Sequence, residues 1–294
     1  MKNIILFKRA LVIKLKLFFI TLSCLFFFIS CVSLPTLKDN HIRQNIQLYP
    51  EQWNWKEISS GISLLSYIEK NIPLKWDMIM VDLKQNLDLI SYPSINDIKS
   101  DGTNKGLTVK EFLKQSDSIF AVNATPFLYP KGRLNSQRKL VGLYINQGIV
   151  LSPAVEKYAA LAFFSTENST YKAVIYDSQI QVPNNAEYAF GGFFTILKDN
   201  QIIPFKNYSF DSRMAVGINE NQDKLYILFC QGERKTKSTG LTFEECALIL
   251  QKAGAKDALQ LDGGGSASME IKNESISNYK ARSVANIFAF KDIF

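Results

Sequence analysis

Short apolar runs recur along the chain and predict β-strands. Each run has the length of a strand and is rich in β-branched and aromatic residues, which favour extended backbone. The runs cover residues 76–83, 119–123, 159–164, 171–176, 214–218, 225–230, 258–261 and 284–290. No internal repeat and no linker within residues 58–294 interrupts this pattern, so we expect a single domain there.

Two helices are predicted from their capping residues. Thr108 with Glu111, and Thr242 with Glu245, have the spacing of a capping box. In this motif a hydroxyl and a carboxylate each accept a hydrogen bond from a backbone N–H group at the start of the helix. The second helix should end before Gly254, because glycine readily adopts the left-handed conformation that closes a helix.

The second helix lies between two predicted strands, at 225–230 and 258–261. This order predicts a β-α-β unit with a right-handed crossover. The sequence as a whole therefore predicts an α/β (mixed α+β) fold, with a central mixed, twisted β-sheet flanked by helices.

The N-terminus has the order of residues that is typical of a signal peptide. Five basic residues and no acid lead into an uncharged stretch of 14 residues, which ends at Cys31. A spanning helix needs roughly 20 apolar residues, so a removable signal is the better interpretation. The tetrapeptide at 28–31 resembles a bacterial lipobox. We expect a signal peptide at 1–30, a lipidated Cys31 that starts a tether at 31–57, and a folded domain at 58–294, exported and anchored to a bacterial membrane.

Charge and cysteine content narrow the classes of function. The formal net charge is +7, but five basic residues belong to the predicted signal peptide. The nearly balanced remainder gives no indication of nucleic-acid binding. Cys230 and Cys246 have no partners at the spacing of metal ligands, and a disulfide between them stays open. We predict no cofactor, with scattered oxygen ligands for a single divalent cation as an open alternative.

The sharpest candidate for chemistry is the segment 261–266, in which Asp262 follows a predicted strand and three glycines follow Asp262. Ligands bind preferentially at this edge of an α/β sheet. Consecutive glycines allow a sharp turn and a close approach of backbone N–H groups to an anion. No Lys follows in P-loop spacing, and the run does not match a dinucleotide fingerprint. The segment therefore predicts a different glycine-lined anion site.

Four segments of the C-terminal half resemble the phosphodiester glycosidases, a family that includes a lysosomal enzyme that uncovers mannose 6-phosphate. They read Ser-Arg-Met-Ala-Val-Gly-Ile at 212–218, Thr-Gly-Leu-Thr at 239–242, Asp-Ala-Leu-Gln-Leu-Asp-Gly-Gly-Gly-Ser at 257–266 and Arg-Ser-Val-Ala-Asn at 282–286. Looser matches lie upstream, around Asn123 and at the pair Gly191 and Gly192. The resemblance spans about residues 58–290. Where the family often has Glu-Arg-Pro-Val, this chain has Ala281 and Ser283 around Arg282, so the Glu and the Pro are missing.

The resemblance implies roles for these residues. A phosphodiester stays negatively charged, so its site needs cations or pointed N–H groups. The predicted phosphate and substrate ligands are Asn123, Gly191, Gly192, Arg213, Gly263, Gly264, Gly265, Ser266 and Arg282. Asp262 is the predicted nucleophile on the anomeric carbon, or the base for a water molecule, and Glu233 is the candidate second carboxylate.

The predicted function is hydrolysis of a sugar-1-phosphodiester at its glycosidic C–O bond, on cell-envelope or extracellular glycans such as a teichoic-acid-like polymer. Two alternatives stay open. One is an envelope-glycan-binding lipoprotein without turnover, which the missing Glu beside Arg282 would permit. The other is a phosphodiesterase that attacks phosphorus, a reaction that often uses metal ions.

Overall fold

The computed structural model describes residues 42–132, 136–206, 209–232, 237–274, 276 and 282–293. Over these residues the chain forms two α-helices, α1 (Val109–Ser116) and α2 (Phe243–Ala253). The strands are β1 Lys56–Ser59, β2 Ile62–Glu69, β3 Leu74–Asp82, β4 Leu87–Tyr92, β5 Thr103–Lys105, β6 Phe120–Asn123, β7 Phe127–Leu128, β8 Gln137–Leu140, β9 Tyr144–Asn146, β10 Ile149–Ser152, β11 Ala160–Ser165, β12 Tyr171–Tyr176, β13 Tyr188–Gly191, β14 Thr195–Lys198, β15 Gln201–Ile202, β16 Arg213–Ile218, β17 Lys224–Cys230, β18 Asp257–Gln260, β19 Met269–Ile271 and β20 Ile287–Asp292.

The local predictions of strands and helix caps are confirmed. The eight apolar runs correspond to β3, β6, β11, β12, β16, β17, β18 and β20. Both capping boxes are formed, from Thr108 with Glu111 and from Thr242 with Glu245. Gly254 closes α2 in the left-handed conformation, with φ +113°. These features depend on neighbours in the sequence, which is why the sequence predicts them well.

The predicted α/β (mixed α+β) class is confirmed only in part. Two helices accompany the sheets, but strands dominate, and every strand pairing among the described residues is antiparallel, so the sheet is not mixed. The largest sheet has the order β1-β2-β3-β17-β16-β18-β14-β15. Three smaller sheets have the orders β10-β9-β13-β11-β12, β19-β6-β20-β4 and β5-β8-β7. Short apolar runs occur in buried strands of either direction, so their pattern alone does not fix how strands pair.

The predicted β-α-β unit is present with a different pairing. Strand β17 leads into α2, and α2 leads into β18, as expected. Strand β16 lies between β17 and β18 and is antiparallel to both, so β17 and β18 run in the same direction without pairing. Strand β16, which forms a hairpin with β17, therefore lies where β18 would pair with β17 in an ordinary β-α-β unit.

Two cores lie on opposite faces of the largest sheet. One contains Met214 and Val216 of β16 together with side chains of the five-stranded and four-stranded sheets. Its aromatic rings include Phe190 and Phe288, whose centroids are 4.9 Å apart. The other core contains Ala215, the buried face of α2 and Trp76. This alternation along β16 is what a strand buried on both faces requires.

Residues 42–57 were assigned to the tether from the sequence, but they pack against the second core. Leu48 is buried there, and its carbonyl oxygen accepts a hydrogen bond of 2.9 Å from the indole of Trp76. Arg43 forms a salt bridge of 2.7 Å with the buried carboxylate of Glu245. The folded body of the protein therefore includes these residues.

Three sequence-based points concern the cysteines and the membrane. Cys230 and Cys246 are buried free thiols, so the disulfide between them is not formed. Cys31 and the predicted signal peptide lie outside the described residues. Within the described ranges, neither helix is long and apolar enough to cross a bilayer.

Candidate active site

The backbone around Asp262 is held at the end of β18. Strand β18 ends at Gln260, Leu261 is buried in the first core, and Asp262 follows with a partly exposed side chain. The Asp262 N–H group donates to the carbonyl oxygen of Ala124, at 3.0 Å. The strand end and the segment after β6 thereby fix the position from which the Asp262 carboxyl projects.

Asn123 was predicted to bind substrate, and the structure places its amide on the backbone of the glycine loop, which we define as residues 262–268. Its side-chain nitrogen donates to the carbonyl oxygen of Asp262 at 2.8 Å, and its side-chain oxygen accepts from the N–H of Ser268 at 2.9 Å. The residue is 1% exposed. Asn123 therefore joins β6 to both ends of the loop and acts on the site by positioning it.

Two of the three glycines keep backbone N–H groups that an anion can use. Gly264 donates its N–H group to the carbonyl oxygen of Ser212 at 2.8 Å, so that group is occupied. The N–H groups of Gly263 and Gly265 have no hydrogen-bond partner among the described residues. A side chain is disfavoured at Gly263, since a Cβ atom there would lie 3.0 Å from the carbonyl oxygen of Ser212. The loop can thus present two N–H donors beside Asp262.

The Asp262 carboxyl belongs to a short polar network. It hydrogen-bonds with the hydroxyl of Ser266, and Nε of Arg282 lies 3.0 Å from the same hydroxyl oxygen. Burial raises the pKa of Asp262 to about 6, while the Ser266 hydrogen bond and the positive charge of Arg282 act in the opposite direction. A carboxyl with this pKa changes its charge near neutral pH, where a catalytic acid or base is most effective.

Arg282, predicted from the sequence to bind phosphate, stands at the exposed side of this network and lies among residues that the sequence did not single out. Its guanidinium carbon is 5.3 Å from the centroid of the Phe127 ring. The guanidinium carbon of Arg138 lies 5.4 Å from the same ring and 4.3 Å from the ring of Tyr129. Two cations therefore share one aromatic side chain close to Asp262.

Arg213 was predicted to bind phosphate, and the structure places its guanidinium against backbone carbonyl groups. Its Nε donates to the carbonyl oxygen of Leu241 at 2.9 Å, and one terminal nitrogen donates to the carbonyl oxygen of Ser209 at 2.6 Å. The guanidinium packs on the ring of Phe243 at 4.1 Å, and the residue is 6% exposed. Because two of its nitrogens donate to backbone carbonyl groups behind the glycine loop, Arg213 stabilises the structure there.

The glycine pair was also predicted to contact substrate, and the N–H groups of both residues are occupied. Gly191 donates to Leu143 at 2.7 Å, and Gly192 donates to Ala159 at 2.9 Å. A Cβ atom at Gly191 would lie 2.6 Å from Nε2 of Gln179, and one at Gly192 would lie 2.7 Å from the carbonyl oxygen of Gln260. These glycines are required by close packing between strands, which explains the motif without phosphate.

The second carboxylate remains a prediction at Glu233, which lies outside the described residues. The structure adds Asp211 as another candidate, since its Oδ2 lies 3.6 Å from where a Cβ atom of Gly264 would be. Its Oδ1 accepts the N–H of Ser212 at 2.7 Å. The sequence offered one signal for Asp211, its position directly before the Ser212 and Arg213 motif.

Metal ligands were part of one alternative for this site. Within the described part of the chain, three or more His, Cys, Asp or Glu side chains do not come together as metal ligands. The polar groups that come together are the Asp262 carboxyl, the Ser266 hydroxyl and the Arg282 guanidinium, and the N–H groups of Gly263 and Gly265 belong to the same loop. This set can bind an anion and place one carboxylate beside it.

A β-rich fold that brings together a carboxylate, a glycine loop and an arginine defines a protein that can bind an anion beside an ionisable carboxyl group. The model of the phosphodiester glycosidase family matches residues 116–291, which is more than half of the chain. The chain therefore belongs to the phosphodiester glycosidase family, whose members are hydrolases.

Three solved structures share the fold. The catalytic domain of zebrafish N-acetylglucosamine-1-phosphodiester alpha-N-acetylglucosaminidase is 16% identical, with a TM-score of 0.60, over 80% of this chain and 85% of that one. A hypothetical protein from Synechocystis is 13% identical, with a TM-score of 0.58, over 79% of this chain but 62% of that one, so this chain spans less than two thirds of it. A protein from Burkholderia pseudomallei is 11% identical, with a TM-score of 0.61, over 75% and 74% of the two chains. No curated protein shows significant similarity to the chain.

Proposed function

We propose that the protein hydrolyses a sugar-1-phosphodiester at the glycosidic C–O bond and releases a phosphomonoester. The observation that carries this proposal is the polar network of Asp262, Ser266 and Arg282 beside two unoccupied N–H groups. The network offers one ionisable carboxyl for the anomeric carbon and several donors for the phosphate. Family membership and the likeness to the zebrafish enzyme support the same reaction.

In this reaction Asp262 acts in its ionised form, as nucleophile on the anomeric carbon or as base for a water molecule. Because burial raises its pKa to about 6, the carboxyl is mostly ionised at neutral pH and retains appreciable basicity. Arg282 and the N–H groups of Gly263 and Gly265 bind the phosphate oxygens. Their donors stabilise the charge that collects on phosphate as the C–O bond breaks.

The leaving group explains why one well-placed carboxylate suffices for bond cleavage. Ordinary glycosidases must protonate an alkoxide, and they use a second carboxyl group as the acid. A phosphomonoester leaves as a stabilised anion, so the demand for a strong general acid is smaller. Asp211 or Glu233 would then serve to orient substrate or water.

The cellular setting belongs to the proposal as well. The basic and apolar N-terminus ending at Cys31 supports export and lipid anchoring at a bacterial membrane. An anchored domain reaches envelope or extracellular glycans, such as a teichoic-acid-like polymer joined by phosphodiesters. Labelling with a fatty acid tests the anchor: incorporation into the wild-type chain and none into Cys31→Ala supports it, and equal labelling of both refutes it.

Turnover is tested with methyl diesters of several sugar 1-phosphates and the purified protein. The proposal predicts free sugar and methyl phosphate as products, and no products with Asp262→Asn. Release of sugar 1-phosphate and methanol would instead indicate attack on phosphorus. Absence of turnover with every sugar, together with measurable binding of the diesters, would show a glycan-binding protein without catalysis.

A further inference from the structure

Beside the Asp262 network lies a group of aromatic and cationic side chains that the reaction at the anomeric carbon does not use. We call it the Tyr129 stack and define it as Phe127, Tyr129 and Arg138. The rings of Phe127 and Tyr129 meet edge to face, with centroids 5.6 Å apart. The guanidinium of Arg138 packs on both rings, at 5.4 Å and 4.3 Å.

Arg138 fixes this group from below. The residue is 4% exposed, and its Nε and one terminal nitrogen donate to the carbonyl oxygen and the hydroxyl of Ser283, at 3.2 Å and 2.6 Å. Another terminal nitrogen donates to the carbonyl oxygen of Gln137 at 2.9 Å. A guanidinium held by several hydrogen bonds is a rigid support for a ring that lies on it.

Tyr129 is the outer layer of the stack. One face of its ring lies on Arg138, yet 49% of the residue is exposed. An exposed ring that a buried cation holds in place is pre-organised for binding, because little side-chain entropy remains to be lost. The free face of such a ring is apolar, which suits the flat, C–H-rich face of another ring.

The stack is continuous with the proposed reaction site. Arg282, which hydrogen-bonds to Ser266 beside Asp262, lies over the same Phe127 ring. Ser283, the next residue, holds Arg138. Moving outward from Asp262, a bound molecule would meet first the Arg282 cation and then the aromatic rings. That order matches a phosphate followed by the group esterified to it.

We infer that the Tyr129 stack is a binding subsite for a cyclic leaving group, with a sugar ring of the substrate lying on the exposed face of Tyr129. The inference rests on the proposed function, since it assigns the phosphate to Arg282. It narrows the substrate class to phosphodiesters that join two rings, as in a sugar-phosphate polymer. A nucleoside ring could lie on the same face of Tyr129, and the experiment distinguishes a sugar ring from a nucleoside ring.

The test compares leaving groups in the full-length protein. Substrates are the N-acetylglucosamine-1-phosphate diesters of methanol, of mannose through its 6-hydroxyl, and of uridine. Tyr129→Ala should lower kcat/KM for the mannose diester about tenfold more than for the methyl diester, as loss of ring stacking does elsewhere. Tyr129→Phe, which keeps the ring, should match the wild type. Leu128→Ala is the control for a neighbouring exposed residue outside the stack.

Binding gives a readout that does not need turnover. Mannose 6-phosphate, uridine 5′-phosphate and methyl phosphate are titrated into the wild type and Tyr129→Ala. The inference predicts that mannose 6-phosphate binds about tenfold more weakly to the variant while methyl phosphate changes much less. A larger loss of affinity for uridine 5′-phosphate than for mannose 6-phosphate would overturn the assignment of the subsite to a sugar ring. Equal effects on all three ligands would overturn the subsite itself, even where the proposed reaction stands.

Discussion

Two arginines lie on either side of the glycine loop, and they differ in burial and in their hydrogen-bond partners. Arg213 lies behind the loop, almost fully buried, with its donors on the backbone carbonyl groups of Leu241 and Ser209. Arg282 lies in front, exposed, with hydrogen bonds to the Ser266 hydroxyl. Both belong to segments that resemble the same family. The difference shows that the fold decides whether a motif arginine can reach a ligand, because only Arg282 keeps its guanidinium exposed.

The same contrast applies to the glycines. Gly191, Gly192 and Gly264 use their N–H groups within the fold, whereas the N–H groups of Gly263 and Gly265 have no partner among the described residues. The region in front of the loop is therefore expected to control activity, and the region behind it is expected to control stability. Four predictions follow this division, from the largest effect to the smallest.

The largest effect concerns Asp262. Asp262→Asn should lower kcat about 1,000-fold or more, since it removes the group that attacks or activates the attacking water. The melting temperature at pH 8 should stay within a few degrees or rise. The raised pKa means that ionised Asp262 costs stability above about pH 6 and costs none below the unfolded-state pKa, and the amide removes that cost. A large fall in melting temperature would show that Asp262 is structural.

Behind the loop, Arg213→Met should lower the free energy of unfolding by about 2–4 kcal/mol, because two backbone carbonyl groups lose a charged donor in a buried place. The kcat of the folded protein should remain near the wild-type value. Denaturant unfolding and a rate measured at low temperature separate the two effects. A variant that is fully stable but inactive would indicate that Arg213 contacts the substrate.

In front of the loop, Arg282→Gln should lower activity and leave the free energy of unfolding almost unchanged. We expect kcat/KM for the phosphodiester to fall about 10–100-fold, as a charge-assisted contact to phosphate is lost. Stability should change by less than about 1 kcal/mol, since the guanidinium is exposed. An aryl glycoside of the same sugar, which has no phosphate, is the control substrate. An equal loss on that substrate would argue against a phosphate contact.

The smallest effect is a shift in pH dependence. For the wild type, kcat/KM should rise with pH through about 6 as Asp262 ionises. Since the charge of Arg282 lowers the pKa of Asp262, Arg282→Gln should move this midpoint upward. Ser266→Ala should move it in the same direction. A midpoint that moves down in both variants would show that the titrating group is not Asp262.

The features that depend on near neighbours in the chain could be predicted from the sequence. The capping boxes, the end of α2 at Gly254 and the placement of Asp262 after a strand all follow from spacing and residue type. The direction of the strands did not follow, because pairing is set by partners far apart in the chain. The hydrogen-bond partners of Arg213 and Asn123 could not be predicted from the sequence for the same reason.

Arg138 shows the limit most clearly. It sits on the short strand β8 between polar residues, without a motif. Its importance comes from Ser283, 145 residues away along the chain, and from two aromatic rings that pack on it. Asp211 was closer to recognition, since it adjoins a matched segment, but its distance from Gly264 is visible only in the fold.

The most direct test of the account is which bond of the substrate breaks. Free sugar and a phosphomonoester result from attack on the anomeric carbon, and also from attack on phosphorus that expels the sugar, so product identity alone leaves the two undistinguished. The reaction of a methyl sugar-1-phosphodiester in ¹⁸O-labelled water separates them by mass spectrometry of the methyl phosphate. The account predicts methyl phosphate without label, because water or Asp262 attacks carbon. One heavy oxygen in the methyl phosphate would contradict it.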